Sequence, residues 1–86
     1  MPYIKQSERD IIDDGGAVET VGQLNYVITR IVDEYLLAQG VSYSTINGVI
    51  GVLECAKLEA YRRVAASYED EKIEQNGDVY AEENVR

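Results

Sequence analysis

The chain has 86 residues, with 8 Lys and Arg against 16 Asp and Glu, no His, one Cys, and a formal net charge of −8. A length this short admits one domain at most, and one cysteine excludes a disulfide framework and fits a reducing compartment. The acidity excludes duplex DNA and anionic membrane as main partners, since phosphate binding needs a basic footprint.

The opening MPYIKQ reads as a short extended arm, polar and unlike a signal peptide. SERDIIDD follows, with Ser7 placed to cap a short helix and acids suited to its first turn. Gly15–Gly16 ends that piece as a flexible hinge. Thr20 with Gln23 three residues on makes a capping-box pattern for the first long helix. Val21, Leu24, Val27, Ile28, Ile31, Tyr35 and Ala38 recur on one face of it, and Gly40 stands where a helix stops.

A short VSYS turn leads, with Ser42 or Ser44 as cap, into a second long helix from about Thr45 to SYEDEKIEQ. Its apolar face is Ile46, Val49, Ile50, Leu53, Ala56, Ala60 and Val64, and Asn76–Gly77 ends it. The expected organisation is an N-terminal arm or short helix over 1–19, a helical core over 20–76 and an acidic flexible tail over 77–86.

Two long helices joined by a short loop make an all-α antiparallel hairpin. Such a hairpin has one seam, yet Val32, Leu36, Leu37, Val52 and Leu58 lie off the main rows. A two-helix unit cannot bury so broad a face alone, so a homo-oligomer is expected. No apolar run approaches the ~18 residues of a membrane span, and a soluble, cytoplasmic protein with no membrane partner is expected.

Catalytic signals are absent. Without histidine the commonest general base and metal ligand is missing, and there is no phosphate loop, CxxC or calcium-loop pattern. The adjacent carboxylates Asp13–Asp14 and Asp33–Glu34 point in different directions on a helix. No catalytic residue, metal or cofactor is expected, and Cys55 reads as an inert buried thiol among apolar neighbours.

Binding residues are easier to nominate. In INGVIGVLECAKLEAYRR, Gly48 and Gly51 each weaken the helix by about 1 kcal/mol relative to alanine. They admit either a closely packed backbone or a ligand. Lys57 lies beside the apolar row, with Tyr61 and Arg62 after it. These cations either reach inward to an anion or pair on the surface, Lys57 with Glu54 or Tyr61, Arg62 and Arg63 with Glu59 and Glu69. Asn25, Tyr26, Thr29 and Arg30 form a polar set on the first helix, and Tyr43, Ser44 and Asn47 another at the start of the second. Tyrosine stacks on a base and asparagine reads its edge; the same residues also serve caps and interhelix hydrogen bonds. All seven aromatics are tyrosine, which favours sites with one wet end.

The excess acid lies in the ends. Residues 1–19 carry two positive and five negative charges, residues 67–86 two and seven, and residues 20–66 balance at four and four. The stretches MPYIKQ, GQLNYVIT, INGVIGVLECAKLEAYRR and YEDEKIEQNGDVY together resemble a family of short phage and bacterial proteins of unknown function. The resemblance implies a bacterial host cell as the setting and no activity. By analogy of class, such small acidic phage proteins include binders that sequester immune signals of the cyclic nucleotide or ADP-ribose type. That is the expected function, with Asn25, Tyr26, Thr29, Arg30, Tyr43, Asn47, Lys57, Tyr61 and Arg62 as ligand contacts. The alternatives are a module acting on a host protein and a purely structural oligomer.

Overall fold

The computed structural model describes residues 1–85; Arg86, the last residue of the expected tail, lies outside them. Among the described residues there are helices and irregular segments and no strand. In chain order they are α1 (Gln6–Asp13), α2 (Val21–Gln39), α3 (Tyr43–Ala60), a π-helical segment (Tyr61–Ala65), α4 (Ala66–Asn76) and a 3₁₀ turn (Glu82–Asn84). The chain falls into two compact units where length alone suggests one domain: Met1–Val49, and a second that begins at Ile50.

The helix ends follow from local chemistry. At α2, Thr20 Oγ1 accepts the Gln23 N–H at 3.1 Å, and Gln23 Oε1 accepts the Thr20 N–H at 3.3 Å, as the capping box predicts. Gly40, at φ +84°, ends it with its N–H on the Leu36 carbonyl. For α3 the cap is Ser42: its Oγ accepts the Thr45 N–H at 3.2 Å, and Thr45 Oγ1 accepts the Ser42 N–H at 2.9 Å. The helix accordingly begins at Tyr43, two residues before the expected Thr45. Ser7 is not a cap. It lies within α1, whose first turn is held by Glu8, with its carboxylate accepting the Lys5 N–H at 3.4 Å.

Gly15–Gly16 is a built stop instead of a hinge. The Gly16 N–H reaches the Ile11 carbonyl at 2.8 Å and the Gly15 N–H reaches that of Ile12 at 2.9 Å. That pair of bonds is a Schellman cap, which needs Gly15 at its φ of +93°. Gly16 is needed for space: a Cβ there would meet Ile11 Cγ2 at 2.5 Å and the Ile11 carbonyl oxygen at 2.6 Å.

Within the first unit α1 packs on α2. Tyr26 of α2 is 8% exposed and is the one buried side chain among the described residues. The N-terminal arm is tied in as well. Arg9 Nε donates to the Ile4 carbonyl at 2.9 Å, and Ile4 lies against Gly22 closely enough that a Cβ there would meet Ile4 Cγ2 at 3.1 Å.

This packing uses the face of α2 that the apolar periodicity does not mark. At 100° per residue, Leu24, Ile28, Ile31 and Tyr35 lie roughly 140–200° around the helix from Tyr26. They remain exposed, as do Ile46, Ile50 and Leu53 of α3. Within the first unit, α2 is held by the short amphipathic α1.

Beyond α3 the helix widens by one residue at the π-helical segment, where the Ala66 N–H reaches back five residues to the Tyr61 carbonyl. Nothing in the hydropathy pattern announced it. Gly77, at φ +86°, ends α4 with its N–H on the Ile73 carbonyl at 2.7 Å. In the tail, Asp78 accepts the Tyr80 N–H at 2.9 Å.

Gly16→Ala is expected to cost about 1–3 kcal/mol by overpacking against Ile11, and the midpoint of thermal unfolding checks it.

Candidate functional site

The side chains that converge most do so between α1 and α2. Asp13, at the end of α1, accepts the Tyr26 hydroxyl at 2.9 Å through Oδ1 and at 3.0 Å through Oδ2. The Arg9 guanidinium lies 6.0 Å from the centroid of the Tyr26 ring, at the outer reach of a cation–π contact. Gln23 Nε2 donates to Glu8 Oε1 at 3.1 Å and so ties the same two helices a second time. Burial raises the Tyr26 pKa above 10.0, and the hydrogen bond to Asp13 and its charge push the same way; Arg30 and Arg9 oppose them.

A groove of about 460 Å³ opens beside this contact, lined among others by Asp13, Gly16, Tyr26, Arg30, Ile31 and Glu34. Arg30 is its one cation, and its guanidinium is already 3.5 Å from Asp33 and 3.6 Å from Glu34. With Asp13 and Glu34 both on its wall, the groove offers more acceptor than donor. That balance suits a hydrogen-bond donor or a cation better than a phosphate.

The nine nominated residues divide. Tyr26 and Arg30 meet in the groove, with Tyr26 serving as the anchor of α1. Asn25 is half-buried and Thr29 exposed on the same helix, while Tyr43 and Asn47 stand exposed on α3. In the second unit, Lys57 pairs with Glu54 at 3.3 Å and Arg62 with Glu59 at 3.2 Å. Arg63 reaches Glu59 at 3.8 Å. These are exposed pairs within one helix, the surface alternative for both cations, and contribute little. The Tyr61 hydroxyl donates to Glu69 at 3.4 Å across the π-helical segment, taking the carboxylate expected for an arginine.

Cys55 is exposed, contrary to the buried thiol expected. Gly48 and Gly51 share that condition: a Cβ at either would meet no atom within 4 Å. Sequence reading missed Arg9, Asp13 and Glu8 as partners of α2. Their links span 13 to 17 residues, and no local spacing marks them. Among the described residues no group of three or more His, Cys, Asp or Glu is placed to hold a metal ion. No helix there is long and apolar enough to cross a membrane.

The family described as Domain of unknown function (DUF6899) matches residues 1–79, and the chain belongs to it. No curated protein and no solved structure matches the chain.

Two outcomes test this geometry. The raised Tyr26 pKa means that its contribution to stability is complete below 10.0, the ordinary tyrosine value, and is lost as pH rises through the raised value. Tyr26→Phe is therefore expected to be less stable than the parent at neutral pH, and the gap to close in alkali. Denaturant melts across that range measure it. Gly48→Ala and Gly51→Ala, with open space around both, are each expected to stabilise the helix by about 1 kcal/mol, read from the same melts.

Proposed function

We propose that this member of the DUF6899 family is a non-enzymatic interaction module that acts as a homo-oligomer and presents acidic ends to a protein partner. The observation that carries the reading is the exposure of residues with a core's composition. Leu24, Ile28, Ile31 and Tyr35 of α2, and Ile46, Ile50 and Leu53 of α3, all remain exposed, while among the described residues Tyr26 alone is buried. Apolar surface in that amount drives association. An antiparallel hairpin of the two long helices within one chain would cover only one row on each. Leu37, Val52 and Leu58, off those rows and also exposed, favour contacts between copies in addition.

The charge distribution supports the rest. The neutral middle leaves association free of repulsion, and the net charges of −3 and −5 on the ends gather in the assembly as a strongly acidic surface. A basic face on a partner protein is its complement.

Capture of a nucleotide-type signal, of the cyclic dinucleotide or ADP-ribose class and in a phage setting, is the second reading. What favours it is the π-helical segment Tyr61–Ala65, with Lys57 just ahead of it and Arg62 and Arg63 within it. Such segments recur at functional sites.

Native mass spectrometry with and without cyclic nucleotides and ADP-ribose derivatives tests both. The expected result is a homo-oligomer that takes up no nucleotide. Uptake at fixed stoichiometry, lost in Lys57→Ala or Arg62→Ala, moves the assignment to ligand capture, and a monomer at micromolar concentration removes the interaction reading.

A further inference from the structure

α3 is built from two unlike halves. Residues 43–52, YSTINGVIGV, include none of the strong helix formers Ala, Leu, Arg, Met, Lys, Gln and Glu. They carry no charge and two glycines. Residues 53–60, LECAKLEA, are strong helix formers at every position except Cys55. The later half is also braced by ion pairs at helical spacing, Lys57 with Glu54 and Glu59 with Arg63. The uncharged first half can form none.

Packing does not make up the difference. Within the first unit α1 and α2 pack on each other, and residues 43–49 pack on neither. A Cβ at Gly48 or Gly51 would meet no atom within 4 Å. The two compact units divide between Val49 and Ile50, inside the weak half. Opening this half therefore leaves the Tyr26–Asp13 contact of the first unit untouched. What holds the segment helical is its cap. Ser42 Oγ accepts the Thr45 N–H at 3.2 Å, and Thr45 Oγ1 donates to the Gly40 carbonyl at 2.8 Å.

The same ten residues suit a second form. Asn47–Gly48, at their centre, is the dipeptide of the two-residue type I′ turn, which needs positive φ at both positions. Of the four residues on either side, 43–46 and 49–52, six of the eight are β-branched or aromatic, the types that strands favour. A turn at Asn47–Gly48 sets Ile46 opposite Val49 on one face. On the other it pairs Thr45 with Ile50 and Tyr43 with Val52.

We propose that residues 43–52 are a switch segment, which leaves the helix independently of the rest of α3 and closes as a β-hairpin turning at Asn47–Gly48. An isolated two-stranded hairpin is marginal in water, so the helix is the major form and the hairpin the minor one. Whatever binds one form better shifts the balance between them. The switch depends neither on the homo-oligomer nor on its partner.

Saturation-transfer NMR on the labelled full chain reads the population of the minor form and its Cα and Cβ shifts. Strand-like shifts are expected at 43–46 and 49–52, with no minor form at 56–60. Gly51→Ala is expected to lower the population about fivefold, through helix propensity alone. Gly48→Ala is expected to lower it about 25-fold, because alanine there also resists the positive φ of the turn. Ser42→Ala, which removes the cap and leaves the turn residues in place, is expected to raise it about fivefold.

Random-coil shifts at 43–52, with the two alanine variants acting equally, reduce the effect to fraying of a helix end and overturn the switch. A minor form that runs on through residue 60 overturns its independence from the rest of α3. No minor form in the parent or in Ser42→Ala overturns the proposal outright.

Discussion

Asp13 takes the Tyr26 hydroxyl through both carboxylate oxygens, and the rest of the first unit is arranged around that contact. For the contact to form, α1 must end where Asp13 faces α2. The Schellman cap at Gly15–Gly16 provides that stop, and a Cβ at Gly16 would collide with Ile11. The chain must then return to start α2, where Thr20 and Gln23 close the capping box. Gln23 serves twice, accepting the Thr20 N–H with its oxygen and donating to Glu8 of α1 with its nitrogen. A cap and a helix–helix contact thus share one side chain, which couples the start of α2 to the docking of α1.

That coupling has a consequence for the apolar surface. A helix has two usable faces, and α2 gives the polar-edged one, around Gln23 and Tyr26, to α1. The aliphatic row remains opposite. The hydrophobic effect acts on area without direction, so an exposed row of this length remains a driving force for association after the chain has folded. The polar contact is specific and the apolar one strong. Placing them on opposite sides of one helix leaves the aliphatic row free of the contact that holds α1.

The second unit differs in character. Its cations are matched to carboxylates three or four residues away, Lys57 to Glu54 and Arg62 to Glu59, and the pairs are exposed. Pairs of that kind keep a helix soluble and contribute little to its stability. The π-helical segment Tyr61–Ala65 is the one break in this regularity, and the Tyr61–Glu69 contact reaches across it. Because one extra residue rotates everything after it, the apolar residues of α4 do not continue the row of α3 in register.

What the sequence by itself determined is local. The all-helical class, the ends of α2 and α4, and the intrahelical pairs of Lys57 and Arg62 each depend on residues three to five apart, and that spacing is visible in one dimension. Gly40 and Gly77 stop helices because a left-handed φ suits glycine wherever it occurs. Tertiary structure alone decided which face of α2 is covered, that Tyr26 is an anchor, and that Cys55, Gly48 and Gly51 face open space. Those outcomes depend on α1, whose Asp13 lies 13 residues from Tyr26, and on which surfaces meet a partner. Periodicity marks a surface that is apolar; it does not say whether the same chain or another covers it.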